Sequence, residues 1–514
     1  MDNRFAVSKA QIIYALILPL AVLMGLMLSD PTDRGSMGLF VVIFGVLSIP
    51  IFMRWYHPML ILGWNACINP YFLPGRPYLW MILAFIGLGV AVANRLTTPE
   101  AKFIHISKIN LAIISIAVVT MATAYTRGGF GVRALGAESY GGKGYFYILS
   151  AVAGYFALVS RRVPEGLVNP LGGLFFLSGI TALVPNIAYL IGPSMEFLFY
   201  FFPPEFALDQ ALAEYSVGRL FGRIFGLTVV SQALCCFLLA RYGLRGVFDL
   251  TKPWRLGVMG LAFIACLLCG FRSILGLFVL TVVSQMFFDG LFRVRILVPL
   301  AAGAVLGLAL LVPVASHLPM AMQRTISFLP VDIDPSIRMN AEGSSDWRFE
   351  MWRNVLPMVP QYLFFGKGYA QDPTELNFMY ENARRGYLKA YEPAVFSGDY
   401  HNGPFSVIIP FGIWGVLAFG FFIVVSLQYL RRVYRAGNPE FKTINTFLLA
   451  YFVARILQFC FVFGAFYSEI GVLVSLIGLS VSINGAEPYT AEITSEDTET
   501  SLKEIFPSAT FPVR

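Results

Sequence analysis

Four short segments carry side chains suited to chemistry on a phosphate-linked substrate. His401 stands in Gly398-Asp399-Tyr400-His401-Asn402-Gly403-Pro404, and after nine intervening residues comes Gly412-Ile413-Trp414-Gly415. An imidazole takes up a proton near neutral pH, and Asp399 is close enough in sequence to orient it or to compete for that role. A lone histidine in such a place is usually structural, so its surroundings decide the reading. Arg223 lies in Arg223-Ile224-Phe225-Gly226-Leu227, Arg272 in Gly270-Phe271-Arg272-Ser273, and Arg348 in Asp346-Trp347-Arg348-Phe349-Glu350-Met351-Trp352. Guanidinium matches phosphate oxygens through paired hydrogen bonds. Arg223 is expected one to two turns inside an apolar span over 218–241, and Arg272 at a turn between two spans. A charge near mid-bilayer costs about 2.5–3.5 kcal/mol on insertion scales. Such arginines either snorkel to headgroups or bind an anion. Arg455, deeper in an apolar run, is expected to pair with Glu469 or to face a polar cavity. His57 and His105 read as interfacial, and His317 as loop.

The elements that must position these groups are membrane helices. The chain has 514 residues, 57% hydrophobic and only 13% charged, with mean hydropathy +0.69. A soluble protein would carry about twice that charge. Lipid admits only helices and closed barrels, and apolar runs of about 17–25 residues without strict alternation indicate helices. About 12 to 14 spans are expected. They include 37–54, 58–75 (interrupted by Asn65, Asn69 and Pro70), 168–200, 218–241 and a tight pair over 255–289. The six cysteines all fall in apolar runs, so they read as free thiols, with no disulfide or metal site. The run 11–29 reads as a span, not a cleaved leader.

With the N-terminus inside, the inner loops receive most of the lysine and arginine, including Arg95, Arg161, Arg241, Arg255, Arg431 and Lys442, as the positive-inside rule requires. The net charge of +7 is therefore a topology signal and not one for nucleic acid. Four parts follow: a helix bundle over 1–315, a large outer loop over 316–403, further spanning helices over 404–483, and a disordered cytoplasmic tail over 484–514. In the loop, Ser344 or Ser345 is expected to cap a helix running through Arg353. By this topology Arg223, Arg272, the loop arginines and His401 meet at one membrane face. Several cations beside one base suit a reaction on a diphosphate-linked substrate. Arg353, Arg384, Arg385 and Lys389 read as a solvated loop face, with contacts to acidic sugars or phosphates as the alternative.

At these residues the sequence resembles the O-antigen ligase and O-antigen polymerase family of bacterial surface-glycan enzymes. His401-Asn402-x9-Gly412-x-x-Gly415 is similar to the family's ending of its large periplasmic loop. Arg223 with Gly226 and Leu227 resembles its membrane arginine motif, and Gly270-Phe271-Arg272-Ser273 its outer turn. Arg348 through Trp352, followed by Gly366-Lys367-Gly368, resembles its loop motif. The resemblance covers roughly 215–430.

The resemblance implies an all-α polytopic inner-membrane glycosyltransferase of GT-C-like architecture, with a periplasmic loop and both termini cytoplasmic. Its donors would be glycans on undecaprenyl diphosphate. Its acceptor would be a lipid A core sugar, a second lipid-linked repeat or a protein hydroxyl, in lipopolysaccharide or exopolysaccharide synthesis. No metal, nucleotide or other cofactor is expected, and no nucleic acid; membrane lipids and glycan-assembly proteins are the expected neighbours. The roles expected are His401 as base, and Arg223 and Arg348 on the diphosphate. Arg272 would add positive potential, and Asn402 would orient the histidine or a sugar. Gly412 and Gly415 would allow close helix packing. A lipid-linked glycan flippase and a non-catalytic assembly scaffold are the rival readings.

Overall fold

A computed structural model describes residues 9–29, 33–98, 103–131, 141–214 and 223–486. Among them the chain is helical, with no β-strand, so the protein is an all-α polytopic membrane protein. Nine helices among the described residues are long and apolar enough to cross a bilayer, and shorter apolar helices at Ile17–Leu28, Trp254–Leu268 and Arg272–Phe288 add to them. The helices differ in what surrounds them. Phe466–Asn484 is buried along most of its length within the protein, whereas the apolar stretch of Val294–His317 is almost entirely exposed at the protein's surface. The core therefore centres on the last helices, which pack on Gly142–Leu158 and Gly226–Val247. The tail beyond residue 486 and the start of the expected 218–241 span lie outside the described residues.

Two expected spans are corrected. Residues 37–54 and 58–75 do not form a pair; one helix runs from Arg34 to Gly63 through Pro50 and Pro58. The backbone leaves the helix only at 64–78, where Asn65, Asn69 and Pro70 stand. The freed polar groups find partners inside the protein, as lipid demands. Asn65 Nδ2 donates to the Phe175 carbonyl at 2.9 Å, the Cys67 N–H to Thr181 Oγ1 at 2.9 Å, and the Asn69 N–H to the Phe201 carbonyl at 2.7 Å. Phe175 and Thr181 lie in the expected 168–200 span, and Phe201 lies just past it; that span is broken by a 3-10 turn, Ser178–Leu183, between helices Glu165–Leu177 and Val184–Ile191.

In the long loop the main helix is Pro335–Val355, not one capped at Ser344 or Ser345. Asp334 Oδ1 accepts from the Ser336 N–H at 2.7 Å, with Pro335 at the first helical position, the pairing that best starts a helix. Both serines sit mid-helix. Met351, Val355, Tyr391, Tyr400 and Ile409 form a small core beneath it, and Trp352 Nε1 donates to the Tyr400 carbonyl at 2.9 Å.

Gly412 seats the loop instead of serving helix–helix packing as expected, while Gly415 keeps a packing role. Helix Gly403–Ala436 breaks at Gly412, where φ is +64°. Segment 363–368 docks into the break: Ile413 N–H donates to the Leu363 carbonyl at 2.6 Å, and the N–H groups of Lys367 and Gly368 donate to Ile409 and Pro410. A Cβ on Gly412 would stand 2.7 Å from the Leu363 oxygen, and one on Gly366, also at φ +64°, 2.1 Å from the Pro410 oxygen. Gly415 leaves room for Phe411, whose ring packs on Tyr145, Tyr369 and Phe466. Gly412→Ala should therefore destabilise the protein by about 1–3 kcal/mol, measured as a lowered unfolding temperature in detergent. An unchanged temperature would mean that the break is not needed.

Candidate functional site

A cavity of 810 Å³ opens where several pieces of chain converge. They include the approach to Gly226–Val247, the turn between Trp254–Leu268 and Arg272–Phe288, helix Met320–Thr325, helix Pro335–Val355, the 399–401 turn, and the turn joining Lys442–Phe461 to Phe466–Asn484. The sequence favours turns here for local reasons. Gly270, at φ +76°, ends one helix and Phe271 begins the next. Gly464, between Phe463 and Ala465, stands so close to Phe459 that a Cβ would lie 2.4 Å from its ring.

The structure brings His401, Asp399, Arg223, Arg272 and Arg348 to the wall of this one cavity. Arg223 differs from its expected setting. It precedes helix Gly226–Val247 in non-helical chain instead of lying within a span, so its charge sits at the helix entrance. Its guanidinium lies over the Phe271 ring, 5.0 Å from the centroid. Arg272 opens its helix and reaches across to the loop. Its Nη2 donates to the Ala341 carbonyl at 2.6 Å and to Ser345 Oγ at 3.0 Å, which ties the loop helix to the membrane bundle.

Arg348 is half-buried, 5.8 Å above the Phe463 ring. Its Nε is buried with no hydrogen-bond partner. Burial holds its pKa below the ordinary arginine value; the nearby Arg272 and Arg223 charges push the same way, and only Asp399 opposes them. A guanidinium nevertheless stays charged. The cations here repel one another, and an arriving anion would relieve that repulsion.

His401 adopts φ +50°, a left-handed conformation rare for a side chain with a Cβ. The Asp399 carboxylate fixes the turn: its Oδ1 accepts from the His401 N–H at 3.2 Å and stands 3.2 Å from Nδ1. Nδ1 is also 3.1 Å from the Asp399 carbonyl. A carbonyl only accepts, so this contact favours the tautomer protonated at Nδ1 and leaves the lone pair on Nε2. Trp347 and Phe463 flank the imidazole edge-on, with centroids 5.1 and 4.9 Å away.

Other expected residues lie elsewhere. Asn402 does not line the cavity; its Oδ1 accepts from the Phe405 N–H at 3.0 Å as the cap of helix Gly403–Ala436, so Asp399, not Asn402, orients the histidine. Arg384 and Arg385 pair with Glu381, and Lys389 with Glu350, all with exposed side chains. Arg455 pairs with Glu469, Nε to Oε1 at 2.7 Å, in the cavity wall. The sequence reading missed Arg324, which also lines the cavity and hydrogen-bonds Asn340. Sixteen residues separate the two in sequence, and no local pattern marks that pairing.

The far ends of the same helices gather a further set of basic residues. There Arg245 donates to the Asp289 carbonyl, Arg255 to Gly246, Lys442 to Tyr434 and Arg432 to Ala486. The bundle thus has one end studded with basic loops and an opposite end holding the cavity.

Residues 257–420 match the O-antigen ligase family. The match takes in Arg272, Arg324, Arg348, His401 and the Gly412–Gly415 break, while Arg223 and the Arg455–Glu469 pair lie outside it. No curated protein sequence matches the chain. Within this polytopic membrane protein, the matched segment is thus similar to a family of the glycan ligase or transferase type.

Proposed function

We propose that this enzyme transfers or polymerises glycans from a polyprenyl diphosphate donor at the cavity, on the periplasmic side of the inner membrane. The observation that carries the reading is Arg348. It is half-buried, its Nε lacks a partner, and its pKa is depressed by burial and by Arg272 and Arg223, beside an imidazole whose Nε2 is left as a base. Perturbed groups converging in one cleft mark a functional site. The basic loops at the opposite end support the orientation, since such loops stay in the cytoplasm.

In this reading Arg348 and Arg223 grip the diphosphate, and Arg272 holds the loop over it while adding positive potential. The acceptor hydroxyl attacks the anomeric carbon, and the bond from that carbon to the phosphate oxygen breaks. The diphosphate leaves with the electron pair, stabilised by the arginines. Nε2 of His401 takes the hydroxyl proton, and the Asp399 carboxylate supports the imidazolium that forms. The arginines take the place of the divalent cation that many nucleotide-sugar enzymes use. The undecaprenyl carrier and the choice between ligase and polymerase rest on the family resemblance.

A flippase reading would lean on Arg455 as a charge set deep in an apolar run, and its pairing with Glu469 gives that charge a structural role instead. Reconstitution separates the two. Protein in liposomes, given a polyprenyl diphosphate-linked glycan and a hydroxyl acceptor, should release one polyprenyl diphosphate for each glycosidic bond formed. Movement of intact donor between leaflets, with no new bond, would overturn the assignment.

A further inference from the structure

We propose that Phe364 and Phe365 anchor the long loop in the membrane, entering the apolar edge of the bilayer beside the Gly412 break. The partner is a lipid surface. This placement is independent of the chemistry proposed for the cavity.

The two rings are exposed although the backbone that carries them is fixed. Phe364 is 65% and Phe365 72% exposed, and neither belongs to a hydrophobic core. Around them the Ile413 N–H donates to the Leu363 carbonyl, the Gly366 N–H to the Tyr362 carbonyl at 2.9 Å, and the Lys367 N–H to the Ile409 carbonyl at 2.7 Å. A Cβ on Gly412 would stand 3.0 Å from the Phe364 carbonyl carbon. Adjacent phenyl rings are thus held outward on a seated turn. Exposed apolar surface of this kind marks a contact with protein or membrane.

Depth decides for the membrane. Phe466 opens the last spanning helix, and its ring packs on Phe411 and Phe419, with centroids 5.6 and 5.1 Å away. These two residues flank the break. At the basic end of the same pair of helices, the Tyr429 hydroxyl donates to the Gly485 carbonyl and Arg432 Nη2 to the Ala486 carbonyl, both at 2.9 Å. Helix Phe466–Asn484 has 19 residues, which rise about 28 Å, and the hydrocarbon layer is about 30 Å thick. Gly412 precedes Arg431 by the same 19 residues. The break therefore stands at the edge of the hydrocarbon on the cavity side, and the loop segment docked in it lies at that depth. Trp414, Leu417, Phe421 and Val424 are exposed at the spacing of one helix face. This lipid-facing stripe begins one residue from Ile413, with a tryptophan where membrane–water interfaces favour one. The short helix Met358–Tyr362 packs on Gly403–Ala436 and joins the anchor to Pro335–Val355. The anchor thus fixes the height over the bilayer of the helix that carries Arg348.

The test uses the full-length protein in phosphatidylcholine liposomes, with photoreactive benzoylphenylalanine in place of Phe365. Irradiation should add the mass of one phosphatidylcholine to the protein. The same side chain at Val305, exposed on helix Val294–Leu311, sets the yield for a lipid-facing position. A covalent dimer, which would give the rings to a second copy, or the absence of a lipid adduct would overturn the proposal. Phe365→Trp keeps an aromatic ring at the site and reads its depth without a bulky probe. Its added fluorescence should be quenched most by phosphatidylcholine brominated near the headgroup end of the acyl chain, and less by lipid brominated near the methyl end. No quenching by either lipid would place the ring in water, and stronger quenching by the deep bromine would place the break inside the bilayer. Either result would sink an anchor at the membrane edge.

Discussion

Removal of the His401 imidazole should lower glycan transfer by about 10²–10⁴-fold, the range for losing a positioned general base, while donor binding stays near that of the native protein. The split follows from the geometry. Asp399 engages Nδ1, so Nε2 is the atom left for the acceptor proton, and the diphosphate is held by other side chains. The backbone complicates the choice of substitution. At φ +50° an alanine is strained whatever its chemistry, and a loss seen with His401→Ala alone could report a damaged turn. Asparagine tolerates the left-handed region far better and cannot accept a proton at neutral pH. His401→Asn should therefore keep the unfolding temperature and still lose activity, read as loss of long-chain surface glycan on a gel. Wild-type product from a well-expressed His401→Asn protein would remove histidine from the mechanism.

What was legible in the sequence was what is local. The His401-to-Gly412 spacing survives into the structure because both ends lie on one short stretch: the turn that places the imidazole, then the break that seats the Leu363–Gly368 segment. Arg455 and Glu469 could be paired on paper because a single tight turn joins their helices. Asp334-Pro335 was an equally local signal, a cap followed by a first-turn proline; the serines ten residues on drew the reading away from it. The misreadings were of another kind. Hydropathy cannot tell a helix that continues through Pro50 and Pro58 from one that turns back, and it gave Arg223 a helical setting because its neighbours are apolar. Both outcomes depend on distant partners, such as Phe175 and Thr181 for the unwound 64–78 segment. Arg324 was passed over for the same reason. A charge in a long loop normally means solvent, and only the fold turns this one into the cavity.

Those long-range contacts also explain why the loop and the membrane bundle act as one site. Arg272 begins a bundle helix yet spends its hydrogen bonds on Ala341 and Ser345 of the loop helix. The Gly412 break is made in a bundle helix and filled by loop backbone. Arg348 comes from the loop, and the phenyl ring beneath it, Phe463, comes from the bundle. Each half therefore contributes charge that the other half positions, and neither would assemble the cavity alone.

Arg348 is where this arrangement is most exposed to test, because stability and activity should move in opposite directions. Its guanidinium is half-buried near two like charges, with one carboxylate, Asp399, in partial compensation. Removing a residue that served structure would lower the unfolding temperature. Removing one of several mutually repelling charges should leave that temperature unchanged or raise it, as is common where a site is built for a ligand and not for the fold. Activity should still fall by about 10²–10³-fold in Arg348→Gln, the usual cost of deleting one preorganised group that stabilises transition-state charge. Arg348→Lys should recover only part of the loss, since a point charge lacks the paired donors. Inorganic pyrophosphate supplies a second readout free of catalysis. A ligand that binds the folded state raises the unfolding temperature by mass action, so pyrophosphate should stabilise the native protein and stabilise Arg348→Gln less. A glutamine variant that unfolds earlier than the native protein, or that gains as much from pyrophosphate, would show that Arg348 holds the loop together and does not hold the substrate.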